Sequence, residues 1–364
     1  MGTEPLPGQA QLRIDLGAIT ANWRDLCARH PGGEVAGVVK ANAYGLGADR
    51  VAPALAAAGC RTFFVAALSE GLALRAALGP GPAIAVLNGF PPGADGDAAL
   101  LPVLNDLGMA AAHAAAARAR GTSRPALLHL DTGMARLGLD AMEQERLAAD
   151  PGLLDGIDLR FVMTHLACAD EPGHPMNEAQ RERFAAACGR IAPGVPRSFA
   201  NSSGIFLGAG FASDLARPGC ALYGINPIHG TPNPMRQVVT LDAPVLQVRE
   251  VPAGTPVGYA ASWTTKRSSR IATVGVGYAD GYLRCLSGRS YGLLRGRQVP
   301  LVGRVSMDLT TFDVTDLPEA RAGDRIGLIG PGNTPDEVAA RCGTIGYEIL
   351  TALGARYARE YLPS

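Results

Sequence analysis

The sequence predicts a parallel (β/α)8 barrel followed by a mainly antiparallel β domain, and three observations carry that prediction. Over the first two thirds, short apolar runs ending in Gly, Asn, Asp or His alternate with Ala/Leu-rich stretches of helical spacing. Eight such runs fall at a spacing that suits a closed barrel, although an open doubly wound sheet would show the same alternation. After about residue 235 the texture changes to β-rich runs separated by turn residues.

Taken in order, the segment 11–16 (QLRIDL) is strand-like and stands outside the barrel count, so it is expected to pair with the second domain. Barrel strands are expected at 35–40 (VAGVVK), 62–66, 83–87, 101–104, 126–130, 159–165, 197–201 and 214–218. The fourth of these is short and contains Pro102, an awkward residue for a central strand. Between them, 48–59, 69–79, 140–150 and 178–190 carry helical spacing, and several open on a capping Ser or Asp and stop at Gly. A linker is expected near 228–237 (IHGTPNPMRQ), where Pro and Gly punctuate the chain. Beyond it, 245–251, 271–278, 292–314 and 325–330 read as strands, whereas 335–343 and the last dozen residues read as helical. The expected organisation is therefore a barrel over 12–232 and a β domain over 233–364 that includes the strand near 11–16.

Composition narrows the function. Lys+Arg and Asp+Glu number 33 each, which gives no electrostatic reason to bind nucleic acid or an anionic membrane. With 47% apolar and 18% charged residues the chain reads as an ordinary globular enzyme. No apolar run approaches spanning length, and the opening MGTEPLPGQA lacks the basic and apolar regions of a signal peptide, so a cytoplasmic location is expected. Seven cysteines, an odd number with no C-x-x-C pair, are expected to be free thiols. No His, Cys, Asp and Glu set has metal-ligand spacing, and G-x-S-x-G is absent, so neither a metal enzyme nor a serine hydrolase is expected.

In a barrel of this type the active site lies at the C-terminal ends of the strands. Those ends present Lys40, Asn88, His129 with Asp131, His165, Asn201 with Ser202, and Arg217. Lys40 closes an apolar strand, where partial desolvation would lower its pKa as a Schiff-base lysine requires. A lysine at a strand end also serves simply to carry its charge out to water. The segments after the last two strands, 202–204 (SSG) and 218–220 (PGC), offer hydroxyls and backbone N–H groups where barrels bind phosphate, and equally suit plain turns.

Together these segments resemble the alanine racemase family over nearly the whole chain. The specific block is 38–48 (VVKANAYGLGA), similar to that family's cofactor-lysine motif. It is followed in family order by 130–138 (LDTGMARLG), 164–171 (THLACADE), 200–205 (ANSSGI) and 217–225 (RPGCALYGI). The second domain adds 258–262 (GYAAS), 275–282 (GVGYADGY), 303–309 (GRVSMDL) and 346–350 (GYEIL).

The resemblance implies pyridoxal 5'-phosphate as cofactor, carried by Lys40, and racemisation of alanine by two bases. Lys40 would be one base, and Tyr259, supplied by the second subunit of a homodimer, the other, on the opposite face of Cα. Tyrosine ordinarily titrates near about 10 and needs donors or positive charge beside it, a role that His165 linked to Arg217 would fill. Arg217 would also face the cofactor's ring nitrogen and, being permanently charged, keep it unprotonated and so limit side reactions. The phosphate would be held by Tyr44, Ser202, Tyr347 and the backbone around Gly204, Gly219 and Cys220, with Asn201 nearby. Arg136 and the Met307 backbone N–H, the latter from the partner, would bind the substrate carboxylate. Tyr278 and Tyr347 would narrow the entrance, and Asp308 would support from behind. In a bacterial source the product would supply D-alanine for peptidoglycan.

Three positions depart from the family pattern. His129 stands where the family commonly has a lysine, often carbamylated, that holds the arginine; histidine cannot form that group, so it either bonds Arg136 directly, shares an anion with it, or leaves it looser. Leu46 stands where a histidine is frequent, and Trp263 where a tyrosine is frequent. Racemisation of serine or of a broader amino-acid set, a related decarboxylase, and a non-catalytic cofactor-binding protein are the competing functions. Against the last two stands the β domain that carries Tyr259.

Overall fold

The computed structural model describes residues 9–91, 93–94 and 99–363. Seven parallel strands follow one another in sequence order around a curled sheet: Gly37–Val38, Thr62–Val65, Ala83–Val86, Leu100–Leu104, Arg124–His129, Ile157–Met163 and Arg197–Ser198. The eighth, Leu215–Ala216, pairs in parallel with Glu34–Val35 at the start of the first strand. The Ala36 and Val38 N–H groups extend that seam by donating to the carbonyls of Ala216 and Pro218 at 2.9 and 3.1 Å. On the other side, the Arg217 N–H donates to Ala200 O at 2.8 Å. The ring is thus closed, which decides between the barrel and the open sheet. Its interior is packed by Val38, Phe64, Ala85, Val103, Leu127 and Met163, all buried, so the barrel is a core and its chemistry is confined to the rim.

The fourth strand is real despite Pro102, because its neighbours bond through Leu100, Leu101, Val103 and Leu104. Leu46 is fully buried in the main core. An apolar side chain suits that site, since an imidazole there would lose its hydration.

The second domain is an eight-stranded sheet built around the 13-residue strand Val239–Val251. One half of that strand pairs with Gln11–Asp15 and Arg325–Ile329, and the other half with Ser269–Val274. All neighbours are antiparallel except Gln11–Asp15 and Ala358–Leu362, which run parallel. Two sequence expectations are corrected here. The last dozen residues are not helical: the helix is Gly346–Ala352, and Ala358–Leu362 is a strand, because Gln11–Asp15 leaves an edge that the chain end fills. Nor are all the thiols free. Cys285 and Cys342 form a disulfide, brought together as the turn Arg284–Leu286 packs on the helix Pro335–Cys342, a proximity that a separation of 57 residues conceals. Among the described residues no helix is long and apolar enough to cross a membrane.

Candidate active site

A cavity of about 560 Å³ opens at the C-terminal rim of the barrel. Lys40, Tyr44, His129, Arg136, His165, Asn201, Ser202, Arg217, Gly219, Cys220 and Tyr347 all line it, together with Asn88. Residues spread over more than 300 positions of sequence thus meet in one space.

Lys40 enters it through an unusual piece of backbone. Ala41, Asn42, Ala43 and Tyr44 all have φ between 51° and 55°, a left-handed turn made of residues with side chains. Each such residue costs roughly 1–2 kcal/mol relative to the right-handed form. Among the hydrogen bonds that hold it are Ala43 N–H to Val39 O, Gly45 N–H to Ala41 O, Ala41 N–H to Glu70 Oε1 and Ala48 N–H to Asn42 Oδ1, all 2.7–2.8 Å. The turn sets both Lys40 and Tyr44 on the cavity wall, and strain of this kind gathers at functional sites. Burial and the nearby Arg136 charge lower the Lys40 pKa, with Glu70 opposing them. A lysine so placed is more readily the neutral nucleophile.

The same cavity holds a cradle of neutral donors. Ser202 Oγ accepts from the Gly219 and Ala221 N–H groups at 2.9 and 3.3 Å, which leaves its own proton to give away. Burial raises the pKa of Tyr44, Tyr347 and the Cys220 thiol, so all three stay protonated. The Tyr44 ring rests on Tyr223, centroids 4.7 Å apart, and meets Tyr347 edge-on. A Cβ on Gly219 would lie 2.2 Å from Tyr44 Oη, so only glycine keeps this concavity open. Hydroxyls that donate without charge, around a space kept free of side chain, fit a phosphate group. Gly204 stands just behind, its N–H committed to Asn201 Oδ1 at 2.8 Å.

Arg217 is buried and donates to Ser198 Oγ at 2.6 Å and to Thr164 O at 2.5 Å. Burial brings its pKa down to about 10, so it remains charged near neutrality. That charge, with burial as the larger cause, keeps His165 well below its ordinary pKa. The hydrogen bonds of Arg217 run to Ser198 and Thr164, so its influence on His165 is exerted through space, and the positive charge at this point is carried by Arg217. His129 is pushed down to about 4 by burial first and by Arg217 and Arg136 after it, against the pull of Asp131.

The Arg136 loop is shaped by Asp131, whose carboxylate accepts the N–H groups of Gly133, Met134 and Ala135. Arg136 itself is exposed. Tyr259, Tyr278, Met307 and Asp308 do not line the cavity of their own chain. They stand on the β domain, with Tyr259 70% exposed on a turn where Ala260 and Ala261 also have positive φ. Asp308 and the buried Asp280 both pair with Arg356, at 2.7 and 2.6 Å, and Asp280 Oδ2 accepts the Gly277 N–H, so the Tyr278 turn and the Met307 segment are tied together.

Sequence reasoning missed Asn105, Ser198, Gln180 and Glu70. Asn105 follows the fourth strand as Lys40 follows the first, so a reading of every strand end would have found it. Gln180 is fully buried and holds the His165 segment through His165 O and Ala167 N–H, a role that a helix sequence does not advertise. Among the described residues no three His, Cys, Asp or Glu side chains gather as metal ligands.

The chain matches two family models end to end, alanine racemase N-terminal domain over residues 14–227 and alanine racemase C-terminal domain over 238–361. It is 58% identical to an alanine racemase of Acidiphilium cryptum over 96% of this chain and 97% of that protein. It is 49% identical to a catabolic alanine racemase of Mesorhizobium japonicum, over 97% and 93%. Among solved structures, the alanine racemase of Bartonella henselae with covalently bound pyridoxal phosphate superposes with a TM-score of 0.94 at 42% identity, covering 98% of this chain and 100% of that one.

Proposed function

The chain belongs to the alanine racemase family, and from that premise we propose that it interconverts L- and D-alanine with pyridoxal 5'-phosphate as cofactor, working as a homodimer. The observation that carries the reading is one cavity that holds Lys40, its pKa lowered, and the Tyr44–Ser202–Gly219 cradle. Lys40 would hold the cofactor covalently, Tyr44, Ser202, Tyr347 and the backbone at Gly219 and Cys220 would bind its phosphate, and Arg217 would stand before its ring nitrogen. When bound, pyridoxal phosphate delocalises the electron pair left behind when the Cα proton of an amino acid is removed.

The rest falls to the protein's own groups. Lys40 Nζ, once free, takes or returns a proton on one face of Cα. The opposite face needs a second group, and the partner subunit's Tyr259 supplies it: in a single chain this tyrosine stands outside the cavity, on a strained turn that presents it outward. The charge retained by Arg217 disfavours a proton on any basic nitrogen set before it. Arg136 receives the substrate carboxylate, assisted by the Met307 N–H of the partner subunit. Tyr278 and Tyr347 restrict the approach, which favours a small side chain such as that of alanine over serine or lysine. In a bacterial cytoplasm the product would be D-alanine for peptidoglycan.

Chiral analysis of L-alanine, L-serine and L-lysine after incubation with the cofactor-loaded protein tests this reading. Alanine should reach the racemate while the others lag, and Tyr259→Phe should slow alanine by at least about a hundredfold, the ordinary worth of a positioned acid–base group. Full activity in Tyr259→Phe would remove the second base.

A further inference from the structure

His129 sits on the cavity wall, 8% exposed as a residue, with its Nδ1 2.8 Å from Asn105 Oδ1. Which nitrogen carries the proton follows from Asn105. Its Nδ2 donates to Leu87 O at 2.9 Å and to Val103 O at 3.2 Å, which identifies it as the amide nitrogen and leaves Oδ1 toward the histidine. An amide oxygen only accepts, so Nδ1 of His129 must donate. A neutral imidazole has one N–H, and burial first, then the charges of Arg217 and Arg136, keeps His129 neutral. Its Nε2 is therefore a bare lone pair.

The backbone determines what passes over that edge of the ring. Leu139 N–H donates to His129 O at 2.8 Å and Asp131 N–H to Leu139 O at 3.0 Å, so the loop carrying Arg136 closes back on the histidine's own strand. Gly138, with φ of 102°, comes so near that a Cβ there would lie 3.1 Å from His129 Cδ2, the atom bonded to Nε2. The loop thus lies against the Nε2 edge, and Arg136 and His129 share the cavity. A guanidinium has only donors, and a neutral ring nitrogen is an acceptor that adds no competing charge.

We propose that Asn105 and His129 form a positioning relay: Asn105 fixes the Nδ1–H tautomer, so that His129 Nε2 accepts a hydrogen bond from Arg136 and orients that guanidinium toward the substrate carboxylate. The relay does the work of an anionic holder without placing a negative charge beside Arg217. It deepens the racemase reading and rests on it for the identity of the carboxylate.

The test uses two replacements that differ in where they place an amide. His129→Gln puts a carbonyl oxygen near the Nε2 position, whereas His129→Asn fills only the Nδ1 position and leaves Arg136 without its acceptor. In the cofactor-loaded protein, His129→Asn should raise the KM for alanine about tenfold, a step worth roughly 1.4 kcal/mol, with kcat within about threefold of the parent. His129→Gln should keep KM within about threefold. Equal KM values in the two variants, or a loss confined to kcat, would overturn the relay. Independently of turnover, ¹⁵N NMR of histidine-labelled protein, with the His129 signals assigned by their absence in His129→Gln, should show Nδ1 protonated and Nε2 bare. The opposite tautomer, or an imidazolium at pH 7, would overturn it. A parent protein that binds cofactor yet leaves alanine untouched would refute the racemase reading, while the tautomer measurement would still decide the Asn105–His129 arrangement.

Discussion

The anion cradle hangs on the absence of one methyl group. Tyr44 is pinned by Tyr223 on one side and Tyr347 on the other, so it has little room to retreat from a side chain at position 219. In Gly219→Ala the new Cβ would fall 2.2 Å from Tyr44 Oη, and either the hydroxyl or the 218–221 backbone must give way. Overpacking of this kind costs about 1–3 kcal/mol. The expected outcome is a cofactor-free chain whose unfolding free energy, read by denaturant titration, falls by that order, and a pyridoxal phosphate dissociation constant, read by equilibrium dialysis, at least about tenfold higher. Lowered stability with unchanged cofactor affinity would mean that Tyr44 does not stand at the phosphate. At this scale much of the site was legible. Lys40, Ser202, Arg217 and the segment with Gly219 stand out at strand ends, Tyr44 enters only through the family resemblance, and all five meet in one cavity. Asn105 could have been picked out by its place at a strand end, whereas Ser198, which accepts from Arg217, presents no chemistry of its own, and such support leaves no mark in a single sequence.

The element that sets Lys40 is a left-handed turn whose cost must be met locally, and Glu70 is the main external support. Its carboxylate accepts the Ala41 N–H at 2.7 Å from the turn, and the Ala66 and Ala67 N–H groups at 2.7 and 3.2 Å at the start of its own helix, Leu68–Leu78. One side chain therefore joins the first and second barrel strands' exits. Glu70→Ala would release all three donors, and a loss of about 2 kcal/mol is expected from unmet partners that are only partly buried. Calorimetry should register it as a lowered Tm, and the rate at which Lys40 re-forms its cofactor bond after borohydride-free dialysis and reloading should fall. A variant with unchanged Tm would show that Asn42 and the two backbone bonds suffice. Glu70 falls inside a stretch that helical periodicity predicts correctly, yet periodicity says nothing of a turn 29 residues earlier. The same limit explains the chain end: residues 358–362 have helix-compatible residues, and only the vacant edge beside Gln11–Asp15 makes them a strand. Local pattern found every barrel strand, including the one with Pro102, because short apolar runs recur with the strand–helix rhythm even where the strand itself is as short and polar as Arg197–Ser198. What pairs with what is set by tertiary contact.

At the scale of the whole molecule, the two proposed bases stand apart within one chain. Lys40, Arg217 and the cradle lie on the barrel rim, whereas Tyr259, Tyr278 and Met307 are exposed on the β domain and do not line that cavity. If the second base comes from a partner, two inactive proteins should complement. Lys40→Ala lacks the cofactor lysine and Tyr259→Phe lacks the second base, so each homodimer should be silent. In a mixed dimer, one site joins the intact Lys40 of one subunit to the intact Tyr259 of the other, and the remaining site carries both lesions. Random pairing at equal amounts makes half the dimers mixed with one working site of two, so co-expression should restore about a quarter of the parent activity. A tyrosine serving its own subunit's lysine gives the opposite result, since no pairing of these variants would then hold both groups in one site. Recovery near a quarter would place the second base across the subunit boundary, and zero recovery, with mixed dimers demonstrated by differential tagging, would return Tyr259 to its own chain and require the β domain to move onto the rim.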